Sequence, residues 1–182
     1  MAQAKKRKKF FDVEIPIINK KTDLIAYNIE ELNGKFIIYD LSRLLRGKNT
    51  LIQLKIKVDN SKATSTPKKM WLLPQFLKRM VRKGTNCVED SFSITCKNAQ
   101  VKIKPFLVTR KKVSRAVRKA LRNKAKELLI ENMKNENIEE IFDALLKNKT
   151  QRTLSLTLKK IYPLSFCDIR VIEVEKFLEK EK

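Results

Sequence analysis

Residues 102–126 hold eleven lysines and arginines and no acid. The second half of this stretch has helix periodicity. Val113, Val117, Leu121 and Leu128 recur at steps of four and seven, so they share one face of a helix. Lys111, Arg115, Arg118, Arg122 and Lys126 recur at steps of four, three, four and four and share another. A helix with one apolar stripe and one cationic stripe can dock on a core only by the first and must offer the second to something negative. The rest of the chain is expected to be the scaffold that holds it.

The charge balance of the whole chain points the same way. Lys and Arg number 42 against 20 Asp and Glu, for a formal charge of +22. Such a charge costs folding free energy through self-repulsion and favours polyanionic partners. Nucleic acid is the first such partner and an anionic membrane the second. With 182 residues, 42% of them hydrophobic, the chain can form one domain with a real core. No histidine occurs, which removes the commonest general base and metal ligand together. The three glycines form no phosphate-cradling loop. Cys87, Cys96 and Cys167 have no metal-ligand spacing and read as small buried hydrophobes in a reducing compartment. No signal-peptide pattern and no run of about 18 apolar residues is present, so a cytoplasmic protein is expected.

In chain order, residues 1–9 read as a disordered basic arm ending in five consecutive cations, Lys5, Lys6, Arg7, Lys8 and Lys9. A single domain over residues 10–182 is expected to follow. Residues 10–18 alternate as a strand, with Pro16 at its end. Residues 20–33 read as loop with a short turn, 35–40 as a second strand, 41–46 as a helical turn stopped by Gly47, and 51–58 as a third strand. Residues 60–69 read as loop. A helix is expected to begin at Pro74, which suits a first helical position, with Phe76, Leu77, Met80 and Val81 inward and Lys78, Arg79, Arg82 and Lys83 as its basic end. Residues 86–97 and 101–109 read as a hairpin, whose outward Lys102 and Lys104 lead into the basic stretch. An acidic amphipathic helix over 136–146, a short helix over 150–161 and a last strand over 165–174 complete the pattern, with 175–182 fraying. Strands precede helices and a strand returns, which argues α+β with mainly antiparallel strands.

Several stretches resemble a known family, the archaeal and eukaryotic small-subunit ribosomal proteins of the S-three-A-e type, also called e-type S-one. They are KKFFDVEIP (8–16), LNGKFI (32–37), FLKRMVRKGTNCVEDSFSIT (76–95), VKIKPFLVTRKKVSRAVRKALRNKAKE (101–127) and KKIYPLSFCDIRVIEV (159–174). They follow one another in the family's order over most of the chain, and the last is the most specific. The departures are local: Lys97-Asn98-Ala99-Gln100 stands where the family usually has an Asp-Gly turn, the 60–69 loop is short, and Pro74 interrupts a helix that is usually continuous. The compact C-terminus looks more archaeal than eukaryotic. The resemblance implies a structural ribosomal protein without chemistry or cofactor of its own. Its expected fold is a barrel-like β-sheet with packed helices. Its expected place is the small-subunit platform, beside neighbouring platform proteins, near the mRNA exit region and the 3′ region of the small-subunit rRNA.

The residues expected to bind RNA are Lys5, Lys6, Arg7, Lys8 and Lys9 of the arm, Lys78, Arg79, Arg82 and Lys83, and Arg110, Lys111, Lys112, Arg115, Arg118, Lys119, Arg122 and Lys126. The arginines matter most, because guanidinium is planar and bidentate toward phosphate. A free RNA chaperone or ribosome assembly factor is the nearest alternative. A metal-dependent nuclease would have to use Asp12, Glu14 or Glu89-Asp90, which form no convergent acid cluster. A membrane-surface helix would need larger apolar residues than Val113, Val117, Leu121 and Leu128. Neither a membrane nor a small-molecule substrate is expected as a partner.

Overall fold

The computed structural model describes residues 7–59 and 62–178. The chain forms two compact units, Met1–Tyr39 with Ile52–Lys68, and Asp40–Leu51 with Lys69–Lys182.

The first unit is built from strands β1 (Lys9–Ile15), β2 (Lys20–Ala26), most of β3 (Phe36–Asp40) and β4 (Thr50–Asp59), and the start of β5 (Lys62–Leu72). Val13 and Ile15 of β1 are buried while Asp12 and Glu14 are exposed, as alternation requires. Val13, Ala26, Leu32, Ile56 and Ala63 form the centre of its core, with Phe11, Leu24, Ile29, Ile37 and Val58 packed around them. Two segments expected to be loop are strands instead. In β2, Leu24 and Ala26 turn inward, but exposed Ile25 breaks the apolar alternation. The strand forms because Pro16 and Asn19 (φ 53°) close a tight turn that folds it back antiparallel on β1. In β5, the inward positions are Ala63, Ser65 and Pro67, too small or polar to signal a strand, although β1 pairs with it in parallel at Ala63 and Thr64. The Ser65 hydroxyl is satisfied by donating to the Glu14 carbonyl at 3.0 Å.

The second unit contains the end of β5, helix α1 (Pro74–Met80), strands β6 (Cys87–Glu89), β7 (Phe92–Thr95) and β8 (Ala99–Thr109), helices α2 (Arg115–Lys134), α3 (Ile138–Leu146) and α4 (Lys149–Leu158), and β9 (Leu164–Phe177). β8 is its central strand, paired antiparallel with β9 on one side and with β6 and β7 on the other. The single strand expected over 86–97 is two. Glu89 pairs with Phe106 and Phe92 with Ile103, so the same register would set Asp90 opposite Pro105, which has no N–H to give. Asp90 instead accepts from the Ser91 N–H at 2.9 Å. α1 starts at Pro74 as expected but ends at Met80, so Arg82 and Lys83 lie in the following turn. β9 runs on to Phe177, beyond the expected 174, so residues 175–177 expected to fray are strand; residues 179–182 of that expectation lie outside those described.

Among the described residues, the pairings join nine strands into a mixed sheet. β1 and β5 are parallel and no pairing among the described residues closes the sheet, so the architecture is α+β with an open sheet rather than an antiparallel barrel.

One buried ion pair ties the second unit together. The turn over Leu41–Gly47 is capped by Asp40, which accepts from the Ser42 N–H at 2.8 Å, and it ends with Arg46 and Gly47 at positive φ. Lys48 follows and sets its Nζ 2.7 Å from Asp168 of β9, with the two side chains 16% and 7% exposed. The same Nζ donates to Asn148 Oδ1 at 3.1 Å, at the start of α4. The other Asp168 oxygen accepts from the Ile169 N–H at 2.8 Å and from Gln151 at 3.3 Å. Removing one partner strands a buried charge, whereas removing both does not. Lys48→Met is therefore expected to cost about 3 kcal/mol in urea denaturation, and pairing it with Asp168→Leu to cost less than the sum of the two single changes.

Candidate nucleic-acid interface

α2 begins where the sequence gives it a cap. Ser114 is extended, and its hydroxyl accepts from the Val117 N–H at 3.4 Å. The buried stripe is Leu121, Ala125, Leu129 and Met133, at steps of four. Leu128, expected inward, is only half-buried; a strict four-residue step from Leu121 selects Ala125 and Leu129, and the small Ala125 hid the pattern. The helix packs this stripe toward α4, β6 and β7. Lys111 is not on the helix; it lies in the turn before Ser114, exposed beside Arg110 and Lys112.

That basic turn is held by two neutral side chains. Thr109, fully buried at the end of β8, accepts from the Asn86 N–H at 3.0 Å through its hydroxyl oxygen. Its single hydroxyl proton has two carbonyls in reach, Lys111 at 2.7 Å and Asn86 at 3.2 Å, and the shorter contact takes it. The Asn86 side chain in turn accepts from the Val113 N–H at 2.8 Å. The Arg110 N–H donates to the Pro163 carbonyl at 3.4 Å, which brings the turn to the segment that follows Lys159 and Lys160. Both lysines are exposed and were not among the residues expected to bind.

The structure brings four of the expected cations together. Arg115, Arg118, Lys119 and Arg122 line one cleft of about 500 Å³, with Asn123, Cys87 and Val88 as the remaining wall. Arg115, Lys119 and Arg122 are exposed, while Arg118 is half-buried and its Nε has no hydrogen-bond partner. Other candidates lie apart from this cleft. Lys126 places its Nζ 5.6 Å from the Phe92 ring. Arg79 stacks over Phe76 at 5.7 Å, and Lys78 lines a different pocket. Arg82 and Lys83 are exposed. In the first unit, Arg7, Lys8 and Lys9 are exposed, Lys9 opens β1, and Lys8 sits 5.6 Å over the Tyr27 ring. Lys5 and Lys6 lie outside the described residues. Lys102, expected to feed the basic surface, is drawn to Glu175 at 3.8 Å.

Of the acids a metal-dependent nuclease would have to use, Glu14, Glu89 and Asp90 have cationic or backbone partners. Glu14 is 3.0 Å from Lys21, whose bonded ammonium holds its carboxyl below the usual range. Glu89 is 2.8 Å from Arg170. Burial pushes the thiols of Cys87 and Cys96 up, and the Cys167 thiol, buried beside Asp168, up to about 12 from an ordinary 9.0. A thiol whose folded value is raised binds its proton more tightly folded than unfolded. Its stabilisation is complete below pH 9 and is lost as pH rises toward about 12. Urea midpoints measured from pH 8 to 11 should fall, and Cys167→Ala should flatten that fall.

Two comparisons bear on this arrangement. The model of the Ribosomal S3Ae family matches residues 2–177. The small ribosomal subunit protein eS1 of Nanoarchaeum equitans is 28% identical over 180 residues, covering 93% of this chain and 90% of its own. The protein of the same name from Halorubrum lacusprofundi is 24% identical over 183 residues, covering 96% of this chain and 85% of its own. The protein of that name from Haloarcula marismortui is 28% identical over 105 residues, covering 57% of this chain and 49% of its own. Asn86 and Thr109 are expected to hold the basic turn in place, so Thr109→Val should lower stability by about 1–2 kcal/mol and speed amide exchange at residues 110–113.

Proposed function

The chain belongs to the Ribosomal S3Ae family, and from that premise we propose how it holds RNA. Membership makes it a structural, non-enzymatic protein of the small ribosomal subunit, cytoplasmic with the ribosome. The proposed role is to bind small-subunit rRNA on the platform, near the mRNA exit region and the rRNA 3′ region, against neighbouring platform proteins.

The observation that carries the RNA reading is the α2 cleft. Four cations line it, and Arg115, Lys119 and Arg122 among them are exposed. Phosphate oxygens are the acceptors such side chains take, and the planar fork of an arginine can take two of them. Cations against phosphate release condensed counterions, so binding strengthens steeply as salt falls. Base-paired RNA hides its major-groove edges from side chains, so recognition rests on shape, phosphate and 2′-hydroxyl. The exposed cations Arg110 to Lys112, joined through the Pro163 carbonyl to the segment after Lys159 and Lys160, would extend the same surface. The arm and the Lys78–Lys83 turn add further phosphate contacts.

α3 fits a different neighbour. Glu140 is used in capping, with the Asn137 N–H donating to it at 3.0 Å, and Asp143 is 2.6 Å from Lys147. Glu139 stays exposed. Such a face suits solvent or a basic platform protein and repels phosphate.

Two measurements test the proposal. In sucrose gradients of cell extract, the protein should co-migrate with small subunits and remain there at high salt. Recovery at the top of the gradient would leave a free RNA chaperone or assembly factor as the better reading. In binding titrations with small-subunit rRNA fragments, replacing Arg115, Arg118 and Arg122 together by alanine should reduce the slope of log affinity against log salt by about two to three. An unchanged slope would remove the α2 cleft from the interface.

A further inference from the structure

We propose that the pocket between α1, β6 and β8 receives one unstacked RNA base, whose backbone lies over the adjoining cations. This rests on the RNA reading of the α2 cleft and goes beyond it, because it names single-stranded nucleotide rather than duplex as what this part of the surface recognises.

The pocket measures about 460 Å³, and Leu77 and Phe106 supply its buried apolar wall. Val81, 39% exposed at the end of α1, stands at its mouth. In the chain it follows Lys78 and Arg79 and is close to Arg82 and Lys83, and Lys78 lines the pocket with it. An apolar slot rimmed by cations fits a ligand with an apolar face on an anionic chain, which describes a nucleotide whose base has left its stack.

The polar wall narrows the choice. Glu89 and Arg170 line the pocket and bridge at 2.8 Å, yet both stay nearly half-exposed. Their outer lone pairs and N–H groups offer an acceptor beside donors, which matches the edge of a base carrying an exocyclic amine. An acidic peptide would meet the Glu89 carboxylate with a second carboxylate, so charge favours the base.

Position supports the pairing of the two sites. Cys87 lines both this pocket and the α2 cleft, so one residue of β6 separates them. A chain crossing β6 can leave phosphate against Arg115 and Arg118 and turn its base into the pocket.

The test compares two RNA hairpins, one fully paired and one with a single unpaired adenine, by fluorescence anisotropy with the full chain. The unpaired adenine should strengthen binding by about tenfold, equivalent to about 1.4 kcal/mol. Val81→Trp, which fills the mouth from an exposed position, should bring the two hairpins to within about twofold of each other. Glu89→Ala, at an exposed site, should reduce the preference through the polar wall and so gives a second measure independent of packing. Equal wild-type binding of both hairpins overturns the pocket and leaves the phosphate cleft standing. Failure to bind either hairpin removes the RNA reading and the pocket together. Equal hairpin binding together with competition by oligoglutamate that Val81→Trp abolishes would assign the pocket to a protein segment and overturn the proposal.

Discussion

Like charges confined to one stretch of chain repel each other, and the second unit is arranged around that repulsion. The acids that answer it come from outside the stretch. Glu175 of β9 takes Lys102, and Glu127, one residue beyond the stretch, takes Lys124 at 3.1 Å. Arg115, Arg118, Lys119 and Arg122 are left to share one cleft. What keeps them there is the opposite face of the same helix. Burial of Leu121 and Leu129 alone contributes about 2 kcal/mol each, and Ala125 and Met133 continue the seam. The apolar stripe therefore fixes where the cations point, at the cost of concentrating their field.

Concentrated charge gives affinity but little discrimination unless the charges are held at fixed spacing. The approach to α2 meets that condition through neutral groups. Thr109 and Asn86 bind the backbone of the turn, so Arg110, Lys111 and Lys112 follow a fixed path without contributing their own side chains to hold it. Further along the chain, the Lys48–Asp168 pair joins the Leu41–Gly47 turn to β9 and the start of α4. A ligand meeting this surface finds its ordering entropy already spent in folding, which is the physical meaning of preorganisation.

The sequence makes most of this legible where side chains alternate strongly. β1, β4, β8 and β9 are clear because Val, Ile, Leu and Phe alternate with charges. β2 and β5 are not, because Ile25 points outward and Ala63, Ser65 and Pro67 point inward. Register, unlike alternation, is a property of two strands, so the break opposite Pro105 appears only once β6, β7 and β8 are aligned. The cationic stripe of α2 is legible because helix periodicity lies within one segment. The clamp at Asn86 and Thr109 is not, since its partners are 23 residues apart and polar residues of that kind occur in any loop. Nor does composition separate Lys126, which rests on Phe92, from Arg122, which lines the cleft.

α2 and α3 use their first turns in opposite ways. α3 opens with Glu139 and Glu140 and a reciprocal cap from Asn137, so negative charge meets the positive end of the helix dipole. α2 opens with Arg115 and carries no acid in its first turn, so its own charges oppose the dipole. Stability alone would select the arrangement of α3 in both places. In α2 the dipole, Arg115, Arg118 and the free N–H groups of the first turn all favour an anion in the same space. The conflict within the unbound chain would become agreement with phosphate in that space, which is the physical content of the proposal that α2 faces RNA.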